Sequence, residues 1–215
     1  MTQSELEYSL STAVVVPVTS IPAKQTALDV AKALADGGIH VIEITLRTDA
    51  ALSAIEAVAN GVARGEVQTA VGAGSVTTVE QIASIRESGA TFAVTPGFSE
   101  QVSNAMIEAE IPHIPGIATV GEAMRGMALG LQCFKVFPAG ILGGPAYLKA
   151  ISAPLPGIRF VPTGGVNEGN LKEYLALDSV LACGGSWITP SKLMKSGDYA
   201  KITELARSAR AVTST

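Results

Sequence analysis

Cysteine and histidine are scarce in this 215-residue sequence, which contains two of each. Cys133 and Cys183 are far apart along the chain, so a disulfide framework is not expected, and a reducing, cytoplasmic location fits this composition. His40 and His113 do not belong to a cluster with the spacing of metal ligands. The sequence therefore predicts no metal site and no cofactor, with both histidines packed or exposed and both cysteines inert.

Strong net charge and long apolar runs are also lacking. The formal net charge of −4 at pH 7 gives no reason to expect nucleic acid or an acidic membrane surface as a partner. Apolar strings such as AVVVPV are too short to span a bilayer. The first dozen residues have no basic region, so no secretory signal is expected. A composition of 47% hydrophobic and 16% charged residues is that of a compact globular enzyme.

Short apolar runs recur along the whole chain, at intervals of roughly 20 to 28 residues, which leaves room for a helix between consecutive strands. Their near-continuous apolar character is typical of parallel strands that are covered on both faces. Eight such runs occur: AVVVPVT from residue 13, HVIEIT from 40, VQTAVGAG from 67, ATFAVTPG from 90, IPHIPG from 111, CFKVFPAG from 133, IRFVPTGG from 158 and SVLACGG from 179.

The segments between these runs have the periodicity of amphipathic helices. After the first run, apolar residues follow the i, i+3, i+4, i+7 spacing and two glycines end the pattern: Ala27, Val30, Ala31, Leu34, then Gly37 and Gly38. A short helix is expected over about residues 1–12, and a last helix is expected to begin near Asp198.

Eight strand–helix units predict an α/β fold of the (β/α)8 TIM-barrel type, formed by residues 1–215 as a single domain. A doubly wound open sheet of the Rossmann or flavodoxin type is the alternative. The barrel is favoured because eight units fill a closed ring without leftover elements. No linker or low-complexity tract divides the chain.

Charged residues end the second predicted strand, EITLRT. Because side chains alternate along a strand, Glu43, Thr45 and Arg47 share one face, and the two isoleucines share the other. If the isoleucines face the helices, the carboxylate and the guanidinium point towards the barrel interior or its mouth, where the chemistry of this fold collects. A structural ion pair at the strand end is the alternative interpretation.

Small residues and glycine pairs end several other predicted strands. The third strand ends GAGSVTT, which is not a dinucleotide fingerprint because Thr77 stands where its third glycine would be; Ser75 offers a hydroxyl there. The loops after strands 7 and 8 are the usual phosphate site of a barrel, and here they read PTGGV and CGGSW. The predicted phosphate donors are Gly164, Gly165, Gly185 and Ser186, although Gly-Gly is also a common turn.

A lysine lies inside the apolar sixth run, CFKVFPAG. Lys135 shares a face with Cys133 and Phe137, and lysine is seldom buried unless it is paired or used. Burial disfavours an ammonium group, and a neutral amine is a nucleophile that forms Schiff bases with carbonyl substrates. Two other interpretations stay open. In one, the aliphatic part of Lys135 is buried and its ammonium group reaches water; in the other, Lys135 holds an anion by electrostatic attraction alone.

The combination of these motifs resembles one known family over nearly the whole chain. The segments VIEITLRT, VGAGSVTT, FAVTPG, IPGIATVGEAM, FKVFPA, PTGGV and GGSW together are similar to 2-keto-3-deoxy-6-phosphogluconate (KDPG) aldolase and to 4-hydroxy-2-oxoglutarate (KHG) aldolase. The resemblance implies a homotrimeric, metal-free class I aldolase that cleaves the phosphorylated keto acid KDPG to pyruvate and D-glyceraldehyde 3-phosphate, the closing step of the Entner–Doudoroff route.

The resemblance also implies roles for particular residues. Lys135 would form the Schiff base, Glu43 would be the general acid/base, and Arg47 would bind the pyruvyl carboxylate. Ser75 would lie beside the carboxylate, Phe137 and Pro96 would form the pocket walls, and Gly164, Gly165 and Ser186 would bind the phosphate. The family usually has threonine where this chain has Ser75, so the hydroxyl is kept and a methyl group is lost.

Two other functions are compatible with single parts of the pattern. A phosphosugar isomerase or epimerase on the same barrel would use Glu43 as a base and Lys135 as an electrostatic group, and it would form no covalent adduct with pyruvate. A non-catalytic phosphate-binding barrel would keep the glycine loops but would not need an inward Glu, Arg and Lys together.

Overall fold

The computed structural model describes residues 1–212, in which nine strands and ten helices alternate for most of the chain. The strands are β1 (Val15–Thr19), β2 (Val41–Thr45), β3 (Ala70–Gly74), β4 (Phe92–Val94), β5 (His113–Ile114), β6 (Gly116–Ile117), β7 (Cys133–Val136), β8 (Arg159–Pro162) and β9 (Cys183–Gly185). The helices are α1 (Gln3–Ala13), α2 (Lys24–Asp36), α3 (Ala51–Ala63), α4 (Gln81–Glu87), α5 (Glu100–Glu108), α6 (Val120–Ala128), α7 (Gly144–Ser152), α8 (Leu171–Leu175), α9 (Ser191–Ser196) and α10 (Tyr199–Ala211).

All strand pairings are parallel, and the strands form two sheets. One has the order β5-β4-β3-β2-β1-β9 and the other the order β6-β7-β8. The order from β1 to β5 follows the chain without the reversal that defines a doubly wound sheet, so that alternative is wrong. The structure is thus the predicted α/β fold with parallel strands, with nine strands in two sheets where the sequence predicts eight in one ring.

Pro115 causes one of the two boundaries between the sheets, because it separates β5 from β6. Proline has no backbone N–H, so the ladder of hydrogen bonds is interrupted there. The next donor, the N–H of Gly116, is bonded to the Thr95 hydroxyl at 3.0 Å. The carbonyl of Pro115 accepts the N–H of Lys135 at 2.9 Å, which begins the pairing with β7. The one strand predicted from residue 111 is therefore two.

Isolated parallel bridges connect the two sheets at the other boundary, between β8 and β9. They join Phe160 to Val180 and Thr163 to Gly184. The N–H of Leu181 donates to the carbonyl of Phe160 at 2.9 Å. The last strand, β9, also pairs with the first strand, β1, so the two ends of the fold meet.

The helices cover the sheets with the apolar faces that the sequence predicts. The buried residues of α2 include Ala27, Val30, Ala31 and Leu34, and its C-cap is Gly37. The predicted first helix is α1, and the predicted last helix is α10, which Asp198 caps by accepting the N–H of Lys201. Within residues 1–212, no helix is both long enough and apolar enough to cross a membrane.

Both cysteines are buried thiols in the interior of the fold, on β7 and β9. Burial raises the pKa of Cys133 and of Cys183, so both thiols stay protonated at neutral pH. A thiol must ionise before it becomes a good nucleophile, and these two are therefore inert, as predicted.

His113 is a buried histidine at the start of β5, with only 2% of its surface exposed. Its backbone N–H donates to the Gln3 side chain of α1 at 3.1 Å, and its Nε2 has no partner among residues 1–212. Burial lowers the pKa of His113 from 6.5 to about 4, and a hydrogen bond to the backbone of Ile111 opposes this shift only in part.

This burial predicts a loss of stability in mild acid. Because the pKa of His113 is lower in the folded chain, the unfolded chain binds the proton first as the pH falls below about 6.5, so the free energy of unfolding decreases until about pH 4. The expected loss from this one group is about 3 kcal/mol. Urea unfolding of the wild type and of His113→Gln between about pH 4 and 8 measures the difference in slope.

The matched control is His40→Gln. His40 is exposed, so this variant replaces a histidine of the chain and leaves the buried His113 in place, and it should still lose stability in mild acid. A slope in His113→Gln equal to that of the wild type would show that His113 is not the group responsible.

Candidate active site

Most of the predicted site residues lie in or just after the strands, towards their carboxyl ends. Parallel strands end at the same edge of a sheet, so their carboxyl ends form one surface. Glu43 lies in β2, where it is in register with Val18 of β1 and Gly72 of β3. Lys135 lies in β7, where it is in register with Gly116 of β6 and Val161 of β8.

Lys135 and Glu43 form a buried ion pair across the fold. The Lys135 Nζ is 3.0 Å from Glu43 Oε1 and 3.4 Å from Oε2. The exposed fractions of these side chains are 7% and 3%. The two residues are 92 positions apart in sequence and belong to different sheets. Alternation along β2 and β7 leaves open which face points inward; the structure places both side chains in the interior, in contact with each other.

Gly74, at the end of β3, provides the space for the Glu43 carboxylate. A Cβ atom built on Gly74 would overlap the carboxylate of Glu43, so no larger residue fits without moving it. Gly74 is in register with Thr45, which is the next residue on the same face of β2 as Glu43. A glycine at this position therefore determines where the acid lies relative to Lys135.

Phe137 connects Lys135 to the predicted phosphate loop. The centre of its ring is 5.8 Å from the Lys135 Nζ, a cation–π distance. A Cβ built on Gly164 would approach the same ring, so the ring packs directly against the backbone of Gly164. The ring is 39% exposed, and it forms part of the surface next to the buried ion pair.

Gly164 and Gly165 both adopt the left-handed backbone conformation, with φ angles of 86° and 84°. Only glycine adopts this conformation easily, so the pair is required by the turn after β8. The Gly164 carbonyl accepts the N–H of Gly140 at 2.8 Å, which ties this turn to the loop after β7. In the following unit, Gly185 is buried in β9 and Ser186 is exposed directly after it.

Arg47 lies just after β2 and is exposed. Its Nη2 donates to the Ser20 hydroxyl at 2.9 Å. Within residues 1–212 it forms no ion pair with a carboxylate, so its charge is available to an anion.

Ser75 and Pro96 follow β3 and β4. Ser75 is partly buried and has a φ angle of 60°, in the left-handed region that non-glycine residues rarely adopt. A threonine would adopt this conformation less easily than serine because its Cβ is branched. Pro96 is exposed, and its backbone packs so closely on Gly116 that a Cβ there would overlap it.

Sequence reasoning did not identify Ser20, Thr45 and Gly74 as members of the site. Ser20 directly follows β1, so it fits the pattern of a polar residue at a strand end that identified the other candidates. Thr45 is 2% exposed, and its Oγ1 is 2.8 Å from Ser20 Oγ. The spacing of residues in β2 indicates the face of Thr45 but not its partner.

This arrangement can perform proton transfer and amine chemistry in a protected environment. A buried ammonium 3.0 Å from a carboxylate can pass its proton within the pair. A lysine amine released in this way can attack a carbonyl carbon. The exposed Arg47, the Gly164–Gly165 turn and Ser186 follow the carboxyl ends of β2, β8 and β9, where anionic groups of a substrate can bind.

The chain belongs to the KDPG and KHG aldolase family, whose sequence profile matches residues 6–205. It is 46% identical over 207 residues to the KHG/KDPG aldolase of Escherichia coli K12, covering 96% of this chain and 95% of that protein. It is 48% identical over 208 residues to the 2-dehydro-3-deoxy-phosphogluconate aldolase of Dickeya dadantii, with the same shares covered. The family is one of carbon–carbon lyases, as the resemblance in the sequence indicates.

Solved structures of this family have the same fold. The KDPG aldolase of Legionella pneumophila, with pyruvate captured as a covalent carbinolamine, has a TM-score of 0.90 and 41% identity, covering 94% of this chain and 97% of that one. The KDPG aldolase of Zymomonas mobilis ZM4, with 3-phosphoglycerate, has a TM-score of 0.88 and 36% identity, covering 97% and 96%.

Proposed function

We propose that this protein is a class I aldolase that cleaves 2-keto-3-deoxy-6-phosphogluconate to pyruvate and D-glyceraldehyde 3-phosphate through a Schiff base on Lys135. The observation that carries the proposal is the buried ion pair, in which the Lys135 Nζ and Glu43 Oε1 are 3.0 Å apart. The carbinolamine in the Legionella relative supports it, because a carbinolamine is the addition product that precedes an imine.

Glu43 starts the reaction by accepting a proton from the Lys135 ammonium. The neutral amine then attacks the C2 keto carbon of the substrate and forms a carbinolamine. Glu43 returns its proton to the C2 hydroxyl, which leaves as water and gives a protonated imine. Because the pair is buried, bulk water does not compete for these protons.

The protonated imine then accepts the electrons of the C3–C4 bond. Glu43 removes the proton of the C4 hydroxyl, directly or through one water molecule, as the bond breaks. The aldehyde product departs, and an enamine remains on Lys135. Glu43 gives its proton to C3, and water hydrolyses the imine to release pyruvate and regenerate the amine.

The other predicted residues bind the two ends of the substrate in this proposal. Arg47 binds the pyruvyl carboxylate with Ser75 beside it, and Phe137 and Pro96 form the walls. The backbone of the Gly164–Gly165 turn and of Gly185, together with the Ser186 hydroxyl, binds the phosphate. The 3-phosphoglycerate in the Zymomonas relative supports a site for a phosphorylated acid. The phosphate donors are Gly164, Gly165, Gly185 and Ser186.

The proposal extends to 4-hydroxy-2-oxoglutarate, which would give pyruvate and glyoxylate by the same steps. The name of the Escherichia coli relative, KHG/KDPG aldolase, supports this second substrate. Its cleavage would use Lys135, Glu43 and Arg47 but not the glycine turns, because this substrate has no phosphate.

We also propose that residues 1–215 form one (β/α)8 barrel domain. Two observations support a single ring. Isolated bridges connect the two sheets at the boundary between β8 and β9, and Pro115 alone separates β5 from β6 at the other boundary. The resemblance supports a homotrimer, and the low cysteine content supports a cytoplasmic location. Light scattering after gel filtration tests the trimer.

The first test is mass spectrometry of the intact protein after addition of pyruvate and borohydride, followed by peptide mapping. Borohydride reduces the imine to a stable amine, so one reduced pyruvyl adduct on Lys135 is expected. The control variant Lys149→Arg, which changes an exposed lysine of α7, should still carry the adduct. A well-folded wild type without an adduct would overturn the class I mechanism and favour an isomerase that uses Glu43 as a simple base.

A further inference from the structure

The Ser20 hydroxyl holds the exposed guanidinium of Arg47. Arg47 Nη2 donates to Ser20 Oγ at 2.9 Å. Ser20 directly follows β1 and Arg47 follows β2 by two residues, and these strands are neighbours in the six-stranded sheet. The pairing of β1 with β2 therefore brings the serine and the arginine together at the same edge.

The Ser20 hydroxyl is itself bonded to a buried threonine. Ser20 Oγ and Thr45 Oγ1 are 2.8 Å apart, and either hydroxyl can donate. Thr45 Oγ1 also lies 3.4 Å from the Thr19 carbonyl. Ser20 accepts the Arg47 N–H with a lone pair. A chain of hydrogen bonds thus connects Arg47 through Ser20 and Thr45 to Thr19.

This chain of hydrogen bonds connects the flexible Arg47 side chain to the buried interior of the sheet. Thr45 is 2% exposed and Thr19 is 1% exposed, so the far end of the chain is buried in the sheet. An arginine has many rotamers, and ordering it when a ligand binds weakens that binding. Ser20 occupies only one of the five N–H donors of the guanidinium, which leaves the others for a carboxylate.

We propose that Ser20 is a positioning residue for the carboxylate of the keto acid, because it orders Arg47 before the substrate binds. The inference rests on the proposed function, in which Arg47 binds that carboxylate. Ser20 does not touch the reacting atoms in this account. It acts on the affinity for a keto acid that carries a free carboxylate, and not on the amine or proton chemistry of Lys135 and Glu43.

The test compares Ser20→Ala with Ser20→Thr, which keeps the hydroxyl. In Ser20→Ala, the pyruvate concentration that gives half-maximal trapping by borohydride should rise roughly 3- to 10-fold, and the KM for cleavage should rise with it. The kcat should stay within about 2-fold of the wild type, because the interaction contributes equally to the ground state and the transition state. Ser20→Thr should restore most of the affinity.

A matched control is Thr48→Val. The Thr48 hydroxyl donates to the Ile21 carbonyl at 2.9 Å, so it connects the same two loops through a hydrogen bond that does not involve the Arg47 guanidinium. This variant should keep the affinity of the wild type. An equal loss in Thr48→Val would assign the effect of Ser20→Ala to loop structure and overturn the inference.

Two further measurements separate positioning from a general structural effect. Methyl pyruvate lacks the carboxylate charge, so wild type and Ser20→Ala should trap it at equal concentrations. In an Arg47→Ala background, Ser20→Ala should have no further effect, since a residue that acts through another gives strongly non-additive changes. Additive losses in this double variant, or a weaker trapping of methyl pyruvate by Ser20→Ala, would overturn the inference.

The failure of this inference can be distinguished from the failure of the proposed function. If the wild type forms the pyruvyl adduct and Ser20→Ala forms it at the same pyruvate concentration, Ser20 has no positioning role and the aldolase mechanism stands. If the folded wild type forms no adduct at any pyruvate concentration, the proposed function is overturned, and the inference with it.

Discussion

Lys135→Arg is expected to lower kcat for cleavage by at least about 10³-fold while the protein stays folded. Arginine remains protonated at every accessible pH and forms no imine with a ketone. Its positive charge can still pair with Glu43, whose carboxylate is 3.0 Å from the lysine it replaces. The variant therefore removes the nucleophile and keeps the buried charge balanced.

Lys135→Ala is a less informative change, because it leaves the Glu43 carboxylate buried without a partner. Breaking a buried ion pair on one side costs about 3–5 kcal/mol, a large part of the 5–15 kcal/mol that a typical domain has in total. We therefore expect Lys135→Ala to be both inactive and less stable than Lys135→Arg. Urea unfolding of the two variants measures that difference.

The activity of Lys135→Arg is measured by the rate of pyruvate release, with circular dichroism as the check on folding. Lys149→Arg makes the same substitution at an exposed site and should have the wild-type rate. A folded Lys135→Arg protein that cleaves the substrate at a rate near that of the wild type would remove the Schiff base from the mechanism.

Glu43→Gln is expected to slow proton transfer by roughly 10²- to 10⁴-fold and still to form the imine. Glutamine has nearly the shape of glutamate, so it fits the space beside Gly74, but an amide neither accepts nor releases the required proton. Imine formation should also be slower, because Glu43 exchanges protons with Lys135 and with the carbinolamine, but the imine should still accumulate during a long incubation with pyruvate, whereas each proton transfer at C3 stays slow.

Exchange of the pyruvate methyl hydrogens for deuterium, followed by NMR, measures the proton transfer without an aldehyde substrate. Borohydride trapping in the same sample reports the imine on Lys135. The control Glu56→Gln breaks a surface ion pair with Lys24, with an N–O distance of 3.1 Å, and should exchange at the wild-type rate. An unchanged exchange rate in Glu43→Gln, with the adduct present, would rule out Glu43 as the acid/base.

Much of the fold follows from local pattern in the sequence. The apolar period along α2, the run of strand-like segments and the first and last helices are all found near the positions that the sequence predicts. The strand predicted from residue 111 is different, because Pro115 divides it between two sheets. The sequence shows this proline, but the effect of its missing backbone N–H depends on which neighbouring strand would have accepted a hydrogen bond at that position.

The sequence by itself determines which side chains share a face of β2 and of β7, because side chains alternate along a strand, and it marks Gly164 and Gly165 as a site for a turn, because glycine is free of side-chain clashes. Only the tertiary structure decides that Lys135 lies 3.0 Å from Glu43, that Gly74 leaves the space for that carboxylate and that Ser20 holds Arg47. Alternation specifies the face of a strand on which a residue lies. It does not specify the side chain opposite, which depends on how distant strands pack in register around one core.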